Sequence, residues 1–121
     1  MILGLRTAIY PVSDLSSAKD WYSRVLGLTP YFDQPFYVGF AVGGFELGLL
    51  PRGQSGTSGA QPLWGVENVD EELARLVGLG GVVLEPVTDV GEGIRVAAIR
   101  DPFGNRFGLI ENPNFRRDAV R

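Results

Sequence analysis

The chain has 121 residues, 14 acidic against 11 basic for a net charge of −3, and contains neither cysteine nor histidine. Those two absences exclude disulfides, thiolate and imidazole metal sites, serine triads and Cys-His dyads. No basic cluster exists beyond Arg116-Arg117 and no apolar stretch nears the ~20 residues that span a bilayer, so neither a nucleic-acid partner nor a membrane partner is expected.

A strand is predicted over Leu3–Tyr10, then a helix over Asp14–Leu26. Ser13-Asp14 offers the N-cap, Leu15, Ala18, Tyr22, Val25 and Leu26 form one apolar stripe, and Gly27 ends it. Three strands follow, Leu28–Asp33, Phe36–Val42 and Phe45–Leu50, the last two joined by the two-residue turn Gly43-Gly44. Residues 51–61 (PRGQSGTSGAQ) lack periodicity and read as a flexible linker with a reach of roughly 18 Å. The order then repeats: a strand over Pro62–Glu67, a helix over Val69–Leu79 with Asn68 and Glu71 placed like a capping box, and strands near Val82–Val87, Ile94–Ile99 and Arg106–Glu111. Residues 114–121 read as an exposed, loosely ordered tail.

Residues confirm what the pattern suggests. Val38-Gly-Phe-Ala aligns with Val96-Ala-Ala-Ile, and Phe45-Glu-Leu-Gly-Leu-Leu-Pro51 with Phe107-Gly-Leu-Ile-Glu-Asn-Pro113, the longer turn Asp101-Pro-Phe-Gly-Asn105 absorbing the growing offset. The expected fold class is α+β: one domain, 1–113, of two βαβββ halves, 1–50 and 62–113.

The stretches Val12-Ser-Asp-Leu…Trp21-Tyr…Val25-Leu-Gly-Leu28, Trp64-Gly-Val-Glu-Asn-Val-Asp70, Gly91-Glu-Gly93 and Asp101-Pro-Phe-Gly-Asn105 resemble, in this order, the motifs of the glyoxalase/bleomycin-resistance/extradiol-dioxygenase (vicinal oxygen chelate) superfamily. The resemblance covers nearly the whole of residues 3–113. It implies that each half curls its strands into a cup with the helix on the convex side, and that paired halves enclose a ligand cavity. It also implies metal ligands, usually His or Glu, near the start of the first strand and on the last strand of each half. Aligned here, those positions hold Thr7, Glu46, Trp64 and Gly108, of which only Glu46 is a strong ligand type. No metal and no cofactor are expected.

The hairpin register places Phe36, Val38, Phe40 and Val42 with Phe45, Leu47 and Leu49 on an apolar, helix-covered face, leaving Tyr37, Gly39, Ala41, Glu46, Gly48 and Leu50 on the cup. By the repeat, Arg95, Ala97 and Ile99 with Gly108 and Ile110 are the matching cup residues. Gly39, Gly48 and Gly108 imply close approach by a ligand or backbone, or simply tight bends. The candidate ligand-binding set is therefore Thr7, Tyr37, Glu46, Trp64, Arg95 and Ile110. Trp64 is either a stacking surface or core filling; Tyr37 and Arg95 extend an aromatic wall for a planar or cationic ligand. Glu46, the best catalytic candidate, reads as a metal-ligand relic, the partner of an arginine such as Arg95, or an acceptor and general base for a ligand.

Three functions compete. The first is a metal-free, cytoplasmic, homodimeric protein binding an aromatic or cationic small molecule, as in drug sequestration. The second is a lyase, isomerase or dioxygenase working through Glu46 with a recruited metal or as general base. The third is a scaffold whose cup is occluded by Trp64.

Overall fold

In a computed structural model, residues 5–58 and 61–113 are described. The predicted tail, 114–121, and the first residues of the predicted first strand lie outside them. Ten elements appear in chain order: β1 (Thr7–Pro11), α1 (Leu15–Leu26), β2 (Phe32–Gln34), β3 (Tyr37–Val42), β4 (Phe45–Leu50), β5 (Leu63–Gly65), α2 (Val69–Gly78), β6 (Val82–Gly91), β7 (Ile94–Arg100) and β8 (Arg106–Glu111). They form two βαβββ halves with the same strand order, β1-β4-β3-β2 and β5-β8-β7-β6. In each, a parallel pair carries the first strand against the last and the other pairings are antiparallel. The division into compact units falls between Ser55 and Gly56, inside the segment read as a linker.

In the first half, the Asp14 carboxylate accepts from the Ser17 backbone N–H at 3.0 Å and so caps α1. Gly27 closes the helix in the left-handed conformation, φ 67°, donating to the Ser23 carbonyl. Ala18, Trp21, Tyr22 and Val25 are its buried stripe, with the Tyr22 ring 6.0 Å from Tyr10 of β1. Gly43 and Gly44, at φ 57° and 91°, form the turn that only glycine makes without strain at both positions, and Val42 pairs with Phe45. Tyr10, Val38, Phe40, Leu47 and Leu49 are consequently buried on the α1 side. Phe36 departs from the expected apolar face: it lies outside β3, is 61% exposed, and sets its ring 6.0 Å from Phe32. Phe45 is also exposed. The β2 ladder begins only after Pro30, which has no N–H to pair, so the predicted start at Leu28 is too early and the ladder opens at Phe32.

In the second half, the Asn68 side chain accepts from the Glu71 N–H at 3.1 Å, and Glu111 of β8 accepts from the Val69 N–H at 3.0 Å, so α2 is capped by its own N-cap and by the sheet. Val69 and Leu76 of α2 are buried with Ala97, Ile99, Phe107 and Leu109. Asp101, buried, holds the β7–β8 turn: its Oδ1 accepts from the Phe103 and Asn105 N–H groups, both at 2.9 Å. Asn105 in turn accepts from the Gly56 N–H at 3.0 Å, so the segment expected to be a flexible linker is anchored at that residue.

Asp101→Ala strands two backbone donors in a buried turn. It is expected to cost about 2–3 kcal/mol, read as a lower urea midpoint with an unchanged m-value.

Candidate functional site

On the face of the first sheet opposite α1, Thr7 pairs with Glu46, Ile9 with Gly48, and Gly39 with both Gly48 and Phe32. Three hydroxyls converge on the Glu46 carboxylate from three segments of chain. Thr7 Oγ1 donates to Oε1 at 2.9 Å, Tyr37 Oη donates to Oε1 at 3.1 Å, and Tyr31 Oη donates to Oε2. Phe32 joins the cluster with its ring 6.0 Å from Tyr37 and 6.5 Å from Tyr31. The arrangement is open: Tyr31 is 63% exposed, and Thr7 and Ile9 are exposed beside it.

The two glycines beneath are explained by these side chains. A Cβ on Gly39 would lie 2.8 Å from Glu46 Oε2 and 3.1 Å from the Tyr31 ring; one on Gly48 would lie 2.6 Å from Tyr37 Cζ. The close approach inferred at those positions is made by the protein's own carboxylate and phenols.

Charge and protonation follow from the same contacts. The hydrogen bond from Tyr31, with those from Thr7 and Tyr37, holds the Glu46 carboxyl below its ordinary value against the opposing effect of partial burial. Partial burial and the bond to Glu46 push the Tyr37 phenol up to about 12, and the bond to Glu46 raises Tyr31 as well. At neutral pH the site is therefore one carboxylate and two intact phenols whose protons all point at it. Toward an incoming molecule it offers oxygen lone pairs and aromatic faces.

The second half places its residues differently from the repeat-based expectation. Arg95 pairs with Glu111 and Ala97 with Leu109, while Gly108 pairs with Ala98 and Ile110 with Val96. Partners directly opposite share a face, so Arg95, Ala97 and Ile99 lie on the α2 side, and Gly108 and Ile110 lie on the other. The β7–β8 turn is longer than Gly43-Gly44, which moves β7 by one residue relative to β3 and turns over every side chain. Arg95 is thus engaged with α2 and β8: Nη2 is 2.5 Å from Asp70 Oδ2, and Nη1 is 3.7 Å from Glu111 Oε1. The pairing of Glu46 with Arg95 is not formed; hydroxyls take its place.

Trp64 is corrected by the same one-residue logic. Leu63, not Trp64, pairs with Gly108, as Thr7 pairs with Glu46. Trp64 pairs with Leu109 and stacks on Phe107, centroids 5.1 Å apart and planes at 4°, on the α2 side. Leu63 and the Pro62 carbonyl occupy the space above Gly108. The positions corresponding to Thr7 and Glu46 are therefore Leu63 and Gly108, neither with a donor atom in its side chain. A single carboxylate with a hydroxyl does not fit a first-row metal, and among the described residues no three His, Cys, Asp or Glu side chains cluster.

Of the expected set, Thr7, Tyr37 and Glu46 come together; Trp64 and Arg95 lie on the helix face, and Ile110 on the open face of the second sheet. Tyr31 was missed. It sits just outside the β2 ladder, where period-2 alternation assigns no face, although its backbone N–H already bonds to the Gly39 carbonyl at 3.0 Å. The need of a half-buried Glu46 for partners was the available signal.

Gly48→Ala drives a methyl into the Tyr37 ring. It is expected to cost about 1–3 kcal/mol and to return the Tyr37 phenol from about 12 toward 10.0, read by ultraviolet titration.

Residues 4–109 match the Glyoxalase/Bleomycin resistance protein/Dioxygenase superfamily. The protein CFP32 of Mycobacterium bovis and of Mycobacterium tuberculosis, named as a candidate glyoxylase, is 31% identical over 108 residues, 80% of this chain; the chain spans 41% of that relative's length. A superfamily member from Sphaerobacter thermophilus superposes with a TM-score of 0.75 at 26% identity, covering 93% of this chain and 99% of the other. A lactoylglutathione lyase from Agrobacterium tumefaciens superposes at 0.74 with 23% identity, covering 93% and 98%, a likeness of fold alone. Two βαβββ halves of identical strand order, with the matched sequence running through both, identify the chain as a member of the glyoxalase/bleomycin resistance protein/dioxygenase superfamily.

Proposed function

We propose that this superfamily member binds a flat aromatic cation on the open face of its first half, without a metal. The observation that carries the reading is the Glu46 carboxylate, ionised and accessible, surrounded by Tyr31, Tyr37 and Phe32. A cation gains from the carboxylate and from the ring faces together. An anion meets only acceptors, because the three hydroxyl protons are committed to Glu46.

The same bonds weigh against the enzymatic alternative. A carboxylate stabilised by three donors is a weak general base, and a phenol raised to about 12 is a weak general acid at neutral pH. The glyoxylase name of CFP32 belongs to a protein of more than twice this length and does not outweigh that chemistry.

Titration calorimetry with proflavine, a flat aromatic cation, tests the reading against anilinonaphthalene sulfonate, an aromatic anion. Proflavine is expected to bind, the anion not, and Glu46→Gln to weaken proflavine at least tenfold. Because the folded-state value of Glu46 is lowered, its contribution to binding and stability holds at and above the ordinary 4.5 and is lost as pH falls through the lower folded value. Equal affinity for both dyes, or for wild type and Glu46→Gln, would sink the proposal.

We also infer a symmetric homodimer, supported by the exposed apolar run Val82, Val83 and Leu84 on the edge strand β6. Light scattering is expected to give twice 13.1 kDa; a particle of 13.1 kDa refutes it.

A further inference from the structure

The open face of the second sheet carries a feature of opposite polarity. Arg100 of β7 stands directly across from Arg106 of β8. Antiparallel partners on one face approach closely, and like charges there repel unless something neutralises them. Elsewhere in this half the arginines are matched by carboxylates, Arg75 by Glu72 and Arg95 by Asp70 and Glu111. For Arg100 and Arg106 together, the described residues supply one, Glu85 of β6, whose Oε1 lies 2.8 Å from Arg106 Nη2.

Burial makes the shortfall more pointed. The Arg106 side chain is 12% exposed, and its Nε has no hydrogen-bond acceptor among the described residues. A buried guanidinium N–H without an acceptor is costly, so native structures rarely leave one. Arg100, by contrast, is exposed and takes part in no ion pair with the described residues.

We propose that Arg100 and Arg106 form a binding site for an oxyanion group, a carboxylate or a phosphate, with one oxygen on the Arg100 guanidinium and another on the terminal nitrogens of Arg106. Guanidinium forks match the spacing of two oxygens on one such group, and the charge they present exceeds what Glu85 neutralises. The site belongs to the second half and is independent of the Glu46 cluster: it takes the opposite charge, and either can fail without the other.

The test is a titration of 15N-labelled protein followed through the arginine Nε–Hε resonances, assigned through bonds. Inorganic phosphate and acetate are the two probes, each added at constant ionic strength against sodium chloride. A saturable shift of the Arg106 resonance is expected, with the affinity at least fivefold weaker in Arg100→Gln, an exposed substitution that leaves the fold intact. Saturation by phosphate alone supports a phosphate ligand, by acetate alone a carboxylate, and by both the shared oxyanion chemistry. Shifts that stay linear with both probes overturn the proposal, as does an affinity unchanged in Arg100→Gln.

Discussion

The two-residue turn at Gly43-Gly44 sets Val42 against Phe45, and the first half of the molecule follows from that pairing. With the register fixed, Val38, Phe40, Leu47 and Leu49 must face α1, and Glu46, Gly48, Gly39 and Tyr37 must face away from it. The parallel β1–β4 pairing then brings the Thr7 hydroxyl level with Glu46. A carboxylate on a half-exposed sheet acquires its partners by geometry alone, without any cation.

That choice of partner shapes the chemistry. An arginine would have neutralised Glu46 and closed the site to charged ligands. Hydroxyls stabilise the carboxylate while leaving its charge in place, and they lower its basicity in the same step. The bare strand floor at Gly39 and Gly48 lets the Tyr31 and Tyr37 rings and the Glu46 carboxylate come close to the sheet.

The second half keeps the topology and discards this cluster. Where the first half has Thr7 and Glu46, the second has Leu63 folded over Gly108, and its charged residues sit elsewhere. Arg95, Asp70 and Glu111 tie the start of α2 to the sheet on the helix side. Arg100 and Arg106, added at the end of the ladder by the longer turn, put positive charge on the open side. Duplication has thus conserved the strand order while the two open faces have diverged in charge.

The architecture was legible in the sequence because it rests on local signals: the caps at Asp14, Gly27 and Asn68, the Gly43-Gly44 turn, and apolar alternation repeated in both halves. Those signals bring Thr7, Tyr37 and Glu46 to one face, and they do so correctly, since a two-residue hairpin leaves register no freedom. Where the turn runs from Asp101 to Asn105, register depends on how Asp101 gathers its backbone donors, and a slip of one residue moved Arg95 to the wrong face of the expected site; Trp64 was displaced separately, by the parallel β5–β8 register that sets Leu63 against Gly108. Tyr31 lies beyond any regular ladder, so only the tertiary structure brings its phenol to Glu46. By itself, then, the sequence determined the fold and the one carboxylate on the first open face; the folded chain decided what that carboxylate touches, because those partners come from side-chain reach and turn geometry that no period in the sequence encodes.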